Sequence, residues 1–350
     1  MVNEIGKRLH SARKMAGLSM ERLAVEAGSL VTKQAISKYE KGAMNPGSEV
    51  LLALAKPLGV KMDYFFRSSR LRITGLEFRK KSRLSRTEEN RIKYQTIDFL
   101  EKCLELEEVL NMAPTFSNPV TKRCISDHRD IERAVCDIRE NWNLGEGPIP
   151  QLTELLEDRG IKIFEVPAST DFDGLSGFAG DEKVPFIAIY EGGDLVRKRF
   201  TMAHELAHLL LDFSPLKGGS PEKLCHAFAG ALLLPEKVIR EELGDRRNKI
   251  TEWELKKLKG IYGISMQAIM ARALNLGIIS EQAFKQFRIY VSTHGWRTRE
   301  PGGYSGEEKA NSFKQLVLHA AAEQIISYSK ASEFLNQTLS KFESEVSIVS

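Results

Sequence analysis

Apolar residues recur every three to four positions through the first third of the chain. Ile5, Leu9, Ala12 and Ala16 share one helical face, and Gly17 stops the repeat. Ser19 can cap a second helix, Met20–Ala27, which Gly28 ends; Thr32 can cap a third, Lys33–Lys41, closed by Gly42. Pro46 and Gly47 turn the chain into a fourth, Ser48–Leu58, with Val50, Leu51, Leu54 and Leu58 apolar, and Met62–Phe66 predicts a fifth. Five short helices with brief connections predict a compact all-α unit. Val25, Leu30, Ala35 and Ile36 are expected to pack inward, with Tyr39 and the Leu54 face closing the core.

Beyond it the pattern changes. Leu71–Phe78 alternates weakly, as a strand would, and residues 87–112 predict one long polar helix. Ala113–Val120, with Pro114 and Pro119, predicts a linker. From about Asp127 helices and strands mix. Helices are predicted at Arg129–Trp142, Ile149–Asp158, Leu195–Asp212, Pro221–Leu233, Thr251–Gly260 and Ser265–Leu276. Ile161–Val166 and Val184–Tyr190 have the β-branched and aromatic content of strands, and Leu175–Ala179 is a weaker one. Phe284–Tyr290 fits either type. A glycine-rich break at Pro301–Gly306 precedes two or three further helices in Glu307–Phe342. The fold class expected is therefore α+β and multidomain: a five-helix all-α unit at 1–67, a basic connector and long helix at 68–126, a mainly helical domain with a small sheet at 127–301, and a helical tail at 302–350.

Composition narrows the possibilities. A hydrophobic share of 42% and a charged share of 28% are those of a globular chain. No apolar run approaches the ~20 residues that cross a bilayer, so no membrane partner is expected. The four cysteines stand apart without a C-x-x-C pair, which fits a reducing cytoplasm. The net charge of +4 hides an asymmetry. Residues 1–93 carry 20 Lys and Arg against 9 Asp and Glu, and the remainder is mildly acidic. Basic charge at one end suggests a polyanionic partner for that end.

The second and third helices, joined through Gly28–Val31, have the outline of a helix-turn-helix, whose second helix enters the major groove of DNA. There it would present Lys33, Gln34, Ser37 and Lys38; Gln pairs bidentately with adenine, and Lys binds guanine or phosphate. A plain bundle with solvated Lys and Gln satisfies the same pattern. The stretches Ile5-Gly-Lys-Arg-Leu, Lys14-Met-Ala-Gly-Leu-Ser and Val31-Thr-Lys-Gln-Ala-Ile-Ser-Lys-Tyr-Glu-Lys-Gly, with Val50–Val60 and Tyr64-Phe-Phe, resemble the Xre/Cro-type helix-turn-helix family. Met20 departs from it, standing where that family often has Gln. The resemblance implies a homodimer bound to a palindromic double-stranded DNA operator.

His204-Glu-Leu-Ala-His208 is the chemical centre of the chain. On a helix, residues four apart differ by about 40° in azimuth, so both imidazoles project from one face and can bind one Zn²⁺. Glu205 lies about 100° around from His204, where it can serve as general base. Two helix histidines without a metal remain the alternative on these five letters. Glu222, fourteen residues beyond His208, is the candidate third ligand, and His226, one turn on, a supporting partner or alternative ligand.

Arg199–Leu211 and Glu222–Pro235 together resemble the ImmA/IrrE family of zinc metallopeptidases, with Asp173-Gly-Leu-Ser-Gly-Phe-Ala-Gly180 and Gly295-Trp296 matching in style. The resemblance implies His204, His208 and Glu222 as metal ligands and Glu205 as general base. His226 stands where that family usually has Asp or Asn. It implies cleavage of a protein substrate, either a helix-turn-helix repressor or the chain itself. The alternative is an autoregulating repressor or antitoxin whose peptidase fold senses a signal or binds a toxin. A substrate strand is expected to pair with an edge of the small sheet, with Val184–Tyr190 the candidate edge; an ordinary central strand is the alternative reading of that stretch.

Overall fold

The computed structural model describes residues 4–28, 30–67, 84–112, 115–120, 123–180, 183–216 and 221–346, together with the backbone of 73–78. The first unit comprises α1 (Glu4–Met15), α2 (Met20–Glu26), α3 (Lys33–Glu40), α4 (Ser48–Leu58) and a 3-10 turn, Met62–Phe66. Capping sets its boundaries. The Ser19 and Thr32 hydroxyls accept the Arg22 and Ala35 amides at 3.1 Å each, and Gly59 ends α4 with φ +66°. Leu9, Leu23, Ile36, Leu54 and Phe65 are fully buried in its core. The inward packing expected of Val25 and Leu30 is not found: they are 65% and 60% exposed. Leu23 fills the position facing α3, which turns Val25 outward two residues later on a short helix.

Arg13 ties α1 to the end of α3, its guanidinium gripping Glu40 at 2.6 and 2.7 Å. Burial pushes the Glu40 carboxyl up, but the bonds from Arg13 and His10 outweigh it and hold the carboxyl below its ordinary value.

The long helix α5 (Arg86–Val109) organises the chain beyond the reader. Along its length it packs on α1, covers one face of the sheet through Ile92 and Leu100, and enters the tail's core through Leu106. Helices α6 (His128–Asn141) and α7 (Leu152–Asp158) lead into strands β2 (Lys162–Val166), β3 (Gly174–Ala179) and β4 (Val184–Tyr190). A preceding strand, β1 (Ile73–Phe78), comes from the connector and completes a sheet of order β1-β3-β4-β2. β2 runs parallel to β4, and the β1–β3 and β3–β4 pairs are antiparallel.

This order corrects the expected substrate edge. Val184–Tyr190 is a central strand, with both neighbours already hydrogen-bonded to it. Its continuous apolar run has the usual cause, burial on both faces: Phe186 and Ala188 point to the α5 side, Ile187 and Ile189 to the helical core.

The helical core follows: α8 (Leu195–Leu210), α9 (Pro221–Leu233), α10 (Glu236–Leu243), α11 (Glu252–Tyr262), α12 (Met266–Asn275) and α13 (Glu281–Thr293). The ambiguous Phe284–Tyr290 lies inside α13. The tail forms α14 (Ser312–Ala322), α15 (Tyr328–Phe334) and α16 (Leu339–Glu345). Of the expected linker, Ala113 and Pro114 lie outside the described residues. Residues 115–120 have no regular structure, yet Val120 is buried and Asn118 donates to the Leu210 carbonyl at 3.0 Å. Among the described residues no helix is long and apolar enough to cross a membrane.

Candidate metal centre and DNA-facing surface

Helix α8 is capped by Asp194, whose carboxylate accepts the Val196 amide at 2.8 Å. Its apolar neighbours bury it so fully that His204 is 0% and Glu205 1% exposed. Pro221 opens α9, where a missing amide is tolerated. Cys225, Phe228 and a run of small residues, Ala227 and Ala229–Ala231, are buried along it, so α9 lies close against α8. That packing carries Glu222 to the histidines.

Three side chains converge. The Nε2 atoms of His204 and His208 are 3.2 Å apart. One carboxylate oxygen of Glu222 lies 3.5 Å from His204 Nε2, and the other lies 3.4 Å from His208 Nε2. Ligands at zinc's usual bond lengths on a tetrahedron stand about 3.3–3.5 Å from one another. The donor set and its separations therefore fit a zinc ion. The Glu222 side chain is 42% exposed and that of His208 19%, so the cluster opens to solvent on that side.

Glu205 is held by a residue the motif does not contain. Ser176 of β3, itself buried, donates to Glu205 Oε2 at 2.8 Å. Strand and helix come this close because of Gly174: a Cβ there would stand 2.7 Å from Thr201 Cγ2 and 3.2 Å from Glu205 Cγ. Both residues lie in the small-residue stretch Asp173–Gly180, which was the available signal. Cys225 was not anticipated. It forms a group with His204 and His208 whose ligand atoms all lie within 4.8 Å. Its Sγ, however, lies 3.9 Å from His208 Nδ1, the ring nitrogen opposite the one facing Glu222. His226 is exposed and lies beside the cluster, its ring centroid 4.7 Å from that of His204 and 5.8 Å from that of Phe200.

Behind the site, the Arg199 guanidinium is fully buried and paired with Glu308, and its Nη2 donates to the Ile149 carbonyl at 2.8 Å. Glu308 also accepts the Leu152 and Thr153 amides at 3.1 and 2.8 Å, capping α7. A residue of the segment after Pro301 thus anchors the helix that carries the H-E-x-x-H motif. Arg199 was visible within the motif's flank; Glu308, in a polar stretch without periodicity, was not.

On the reader, Lys33, Gln34 and Lys38 are exposed at α3, Ser37 is half-buried, and Lys33 pairs with Glu21 of α2. Helix α5 of the connector packs on α1. At i, i+1, i+4 and i+5 on one helix, the four residues fall on one side of α3.

Comparison with known proteins agrees with both halves. A helix-turn-helix family model matches residues 9–65, and a peptidase family model described as the IrrE N-terminal-like domain matches residues 156–274. Uncharacterized HTH-type transcriptional regulators of Sinorhizobium medicae (strain WSM419) and Rhizobium meliloti (strain 1021) are each 37% identical over 62 residues, 18% of this chain. The match spans 43% of those relatives' length. No solved structure matches the chain. The chain thus joins a segment similar to helix-turn-helix domains to one similar to the IrrE N-terminal-like domain.

Proposed function

We propose that this chain is a DNA-binding transcriptional regulator whose second domain is a zinc-dependent endopeptidase. On this reading it cleaves a repressor protein, or itself, to control stress, mobile-element or toxin–antitoxin genes. The observation that carries the reading is the convergence of His204, His208 and Glu222 at 3.2–3.5 Å beside a buried Glu205.

His204 and His208 would hold the metal through their ring nitrogens, and Glu222 through its carboxylate. Zinc bound there supplies Lewis acidity, polarising a scissile carbonyl and making water acidic enough to attack near neutral pH. The protein's own groups do the rest. Glu205 accepts the proton of the attacking water at a carboxylate oxygen and delivers it to the leaving amine nitrogen. Ser176, donating to Oε2, keeps the carboxylate in one orientation through both transfers. Cys225 supports His208 from the Nδ1 side. His226, beside His204, acts as the supporting residue of the ligand shell.

At the other end, two copies of the reader dock on a palindromic operator. Lys33, Gln34, Ser37 and Lys38 face base edges and phosphates in the major groove. The proposed domain limits are 1–67, 68–126, 127–301 and 302–350, and the cytoplasm is the proposed location.

A second reading has its own support. The reader residues are exposed, and an exposed His226 beside the ligands departs from the related peptidases. Both suit a repressor or antitoxin whose peptidase fold serves as a sensing or toxin-binding module.

Metal content tests the ligand set. Wild type and Cys225→Ser should each hold one zinc per chain, and Glu222→Gln should lose at least tenfold in zinc affinity. Retention by Glu222→Gln with loss in Cys225→Ser would move the third ligand to the cysteine. For the reader, Lys33→Ala/Gln34→Ala should weaken operator binding and relax base preference by about 1–3 kcal/mol per lost base contact. Unchanged affinity and preference would refute the docking.

A further inference from the structure

The sheet has two end strands, and they stand in different relations to the metal centre. β2 forms one end, with β4 between it and β3. β3 packs on the motif helix α8, and its Ser176 donates to Glu205 at 2.8 Å. Ser176 faces the α8 side, as does Phe178 two residues on, whereas Leu175 and Ala179 face α5. Of the two edges of β3, one is hydrogen-bonded to β4 and the other to β1. An extended segment that adds to this sheet beside Glu205 must therefore take the outer edge of β3, which β1 holds.

β1 is paired there on one side only, as the end strand of the sheet. It runs antiparallel to β3 from Ile73 opposite Ala179 to Phe78 opposite Leu175. The register shifts between Thr74 and Glu77: three steps along β1 match two along β3, so the ladder is interrupted in its middle. Gly75, inside the interruption, brings no side chain to pack. The pairing of β3 with β4 has no such shift, running from Gly174 opposite Ile189 to Ala179 opposite Val184. Without β1, the outer edge of β3 would present a row of backbone donors and acceptors, a template for another extended strand.

We propose that β1 is a resident strand on the substrate edge: it occupies the edge of β3 at which an extended segment of a protein substrate pairs, and substrate enters when β1 leaves. This rests on the peptidase reading of the metal centre and concerns how substrate reaches it. Glu77 of β1 stands opposite Ser176, the residue that orients Glu205. A substrate strand in the same place would run antiparallel to β3, about 4.8 Å from it, and pass the same residue. The substrate class is thus an unfolded or unfoldable stretch of polypeptide, held mainly through its backbone. Because β1 belongs to the connector that follows the reader, entry to the site is tied to the placing of that connector.

Two measurements test this without requiring cleavage. The first uses the full chain carrying Glu205→Gln, so that a bound peptide stays whole, and a fluorescently labelled synthetic peptide of residues 71–78. Adding Ile73→Pro/Glu77→Pro to the chain breaks β1. The partners of these two positions, Ala179 and Ser176, lie three apart on β3, so one of the prolines removes an amide that faces β3. By anisotropy, the broken-strand chain should bind the peptide at least tenfold more tightly than the chain with β1 intact. A peptide carrying the same two prolines should bind at least tenfold more weakly than the unaltered peptide. The second measurement needs no variant: in hydrogen exchange of the full chain, the β3 amides bonded to β1 should exchange at least tenfold faster than those bonded to β4. Equal peptide binding by the intact and broken-strand chains, equal binding of the two peptides, or equal exchange at both edges of β3 would overturn the proposal. A chain that binds the peptide as expected and cuts nothing would instead count against the peptidase reading alone.

Discussion

At the scale of single residues, the H-E-x-x-H histidines were legible because their relation is local: four residues on a helix fix a common face. The residues that complete the site depend on contacts between elements. Glu222 reaches the histidines only because α9 lies against α8, and Ser176 reaches Glu205 only because Gly174 lets β3 approach. Nothing in the spacing of Cys225 shows that it meets His208 on its Nδ1 side. Gly174 gives a direct test. In Gly174→Ala the new methyl group would press on Thr201 and on the Ala188 carbonyl, 3.3 Å away, which is backbone and cannot swing aside. The expected cost is about 1–3 kcal/mol of stability by denaturant titration. A change within the scatter of surface substitutions, about 0.5 kcal/mol, would mean the strand and helix are not so closely apposed.

At the scale of elements, helices with a clear cap were legible almost to the residue. Ser19 and Thr32 each accept the amide three residues on, as their positions implied. The helix α10 was not anticipated, because it is one short amphipathic segment following directly on Pro235. The ambiguity of Phe284–Tyr290 has a physical reason: in α13 Val291 alone is buried, so no strong periodicity is imposed. The substrate edge was misplaced because an apolar run reveals burial and not a strand's position in its sheet.

Element packing also sets a pH dependence. Glu157, in the last turn of α7, accepts the Ser312 amide at the start of α14 at 3.2 Å. Burial nonetheless raises its carboxyl from 4.5 to about 7, against the lowering by these backbone bonds. A carboxyl raised in the folded state binds its proton more tightly there than in the unfolded chain. Its contribution therefore favours the fold at low pH and is lost as pH rises from about 4.5 through about 7. In Glu157→Gln, the fall in thermal midpoint between pH 5.5 and pH 8 should be smaller than in wild type. An identical fall in both proteins would show that Glu157 does not titrate in this window.

At the scale of the whole molecule, the charge asymmetry and the break in pattern near residue 67 set a basic helical unit apart from a mixed part, and the two family models match on either side of that break, at 9–65 and 156–274. The joints between them were less legible. The connector contributes β1 to the sheet, Glu308 secures Arg199 beneath the motif helix, and Arg67 at the reader's end pairs with Glu333 in the tail. Glu308 and Arg67 are single residues in polar stretches, where neither periodicity nor composition marks a long-range partner. They link the N-terminal helical unit to the helix that carries the H-E-x-x-H motif.

The central claim is that Glu205 works beside a metal held by His204, His208 and Glu222 to cut a peptide bond. Its most direct test is intact-mass spectrometry of the zinc-loaded chain and of zinc-loaded Glu205→Gln, each co-expressed with the host's helix-turn-helix repressors under inducing conditions. The account predicts a repressor, or the chain itself, cut at one bond with wild type and left whole with the variant, both holding one zinc. No cleavage by either protein, or equal cleavage by both, would contradict it.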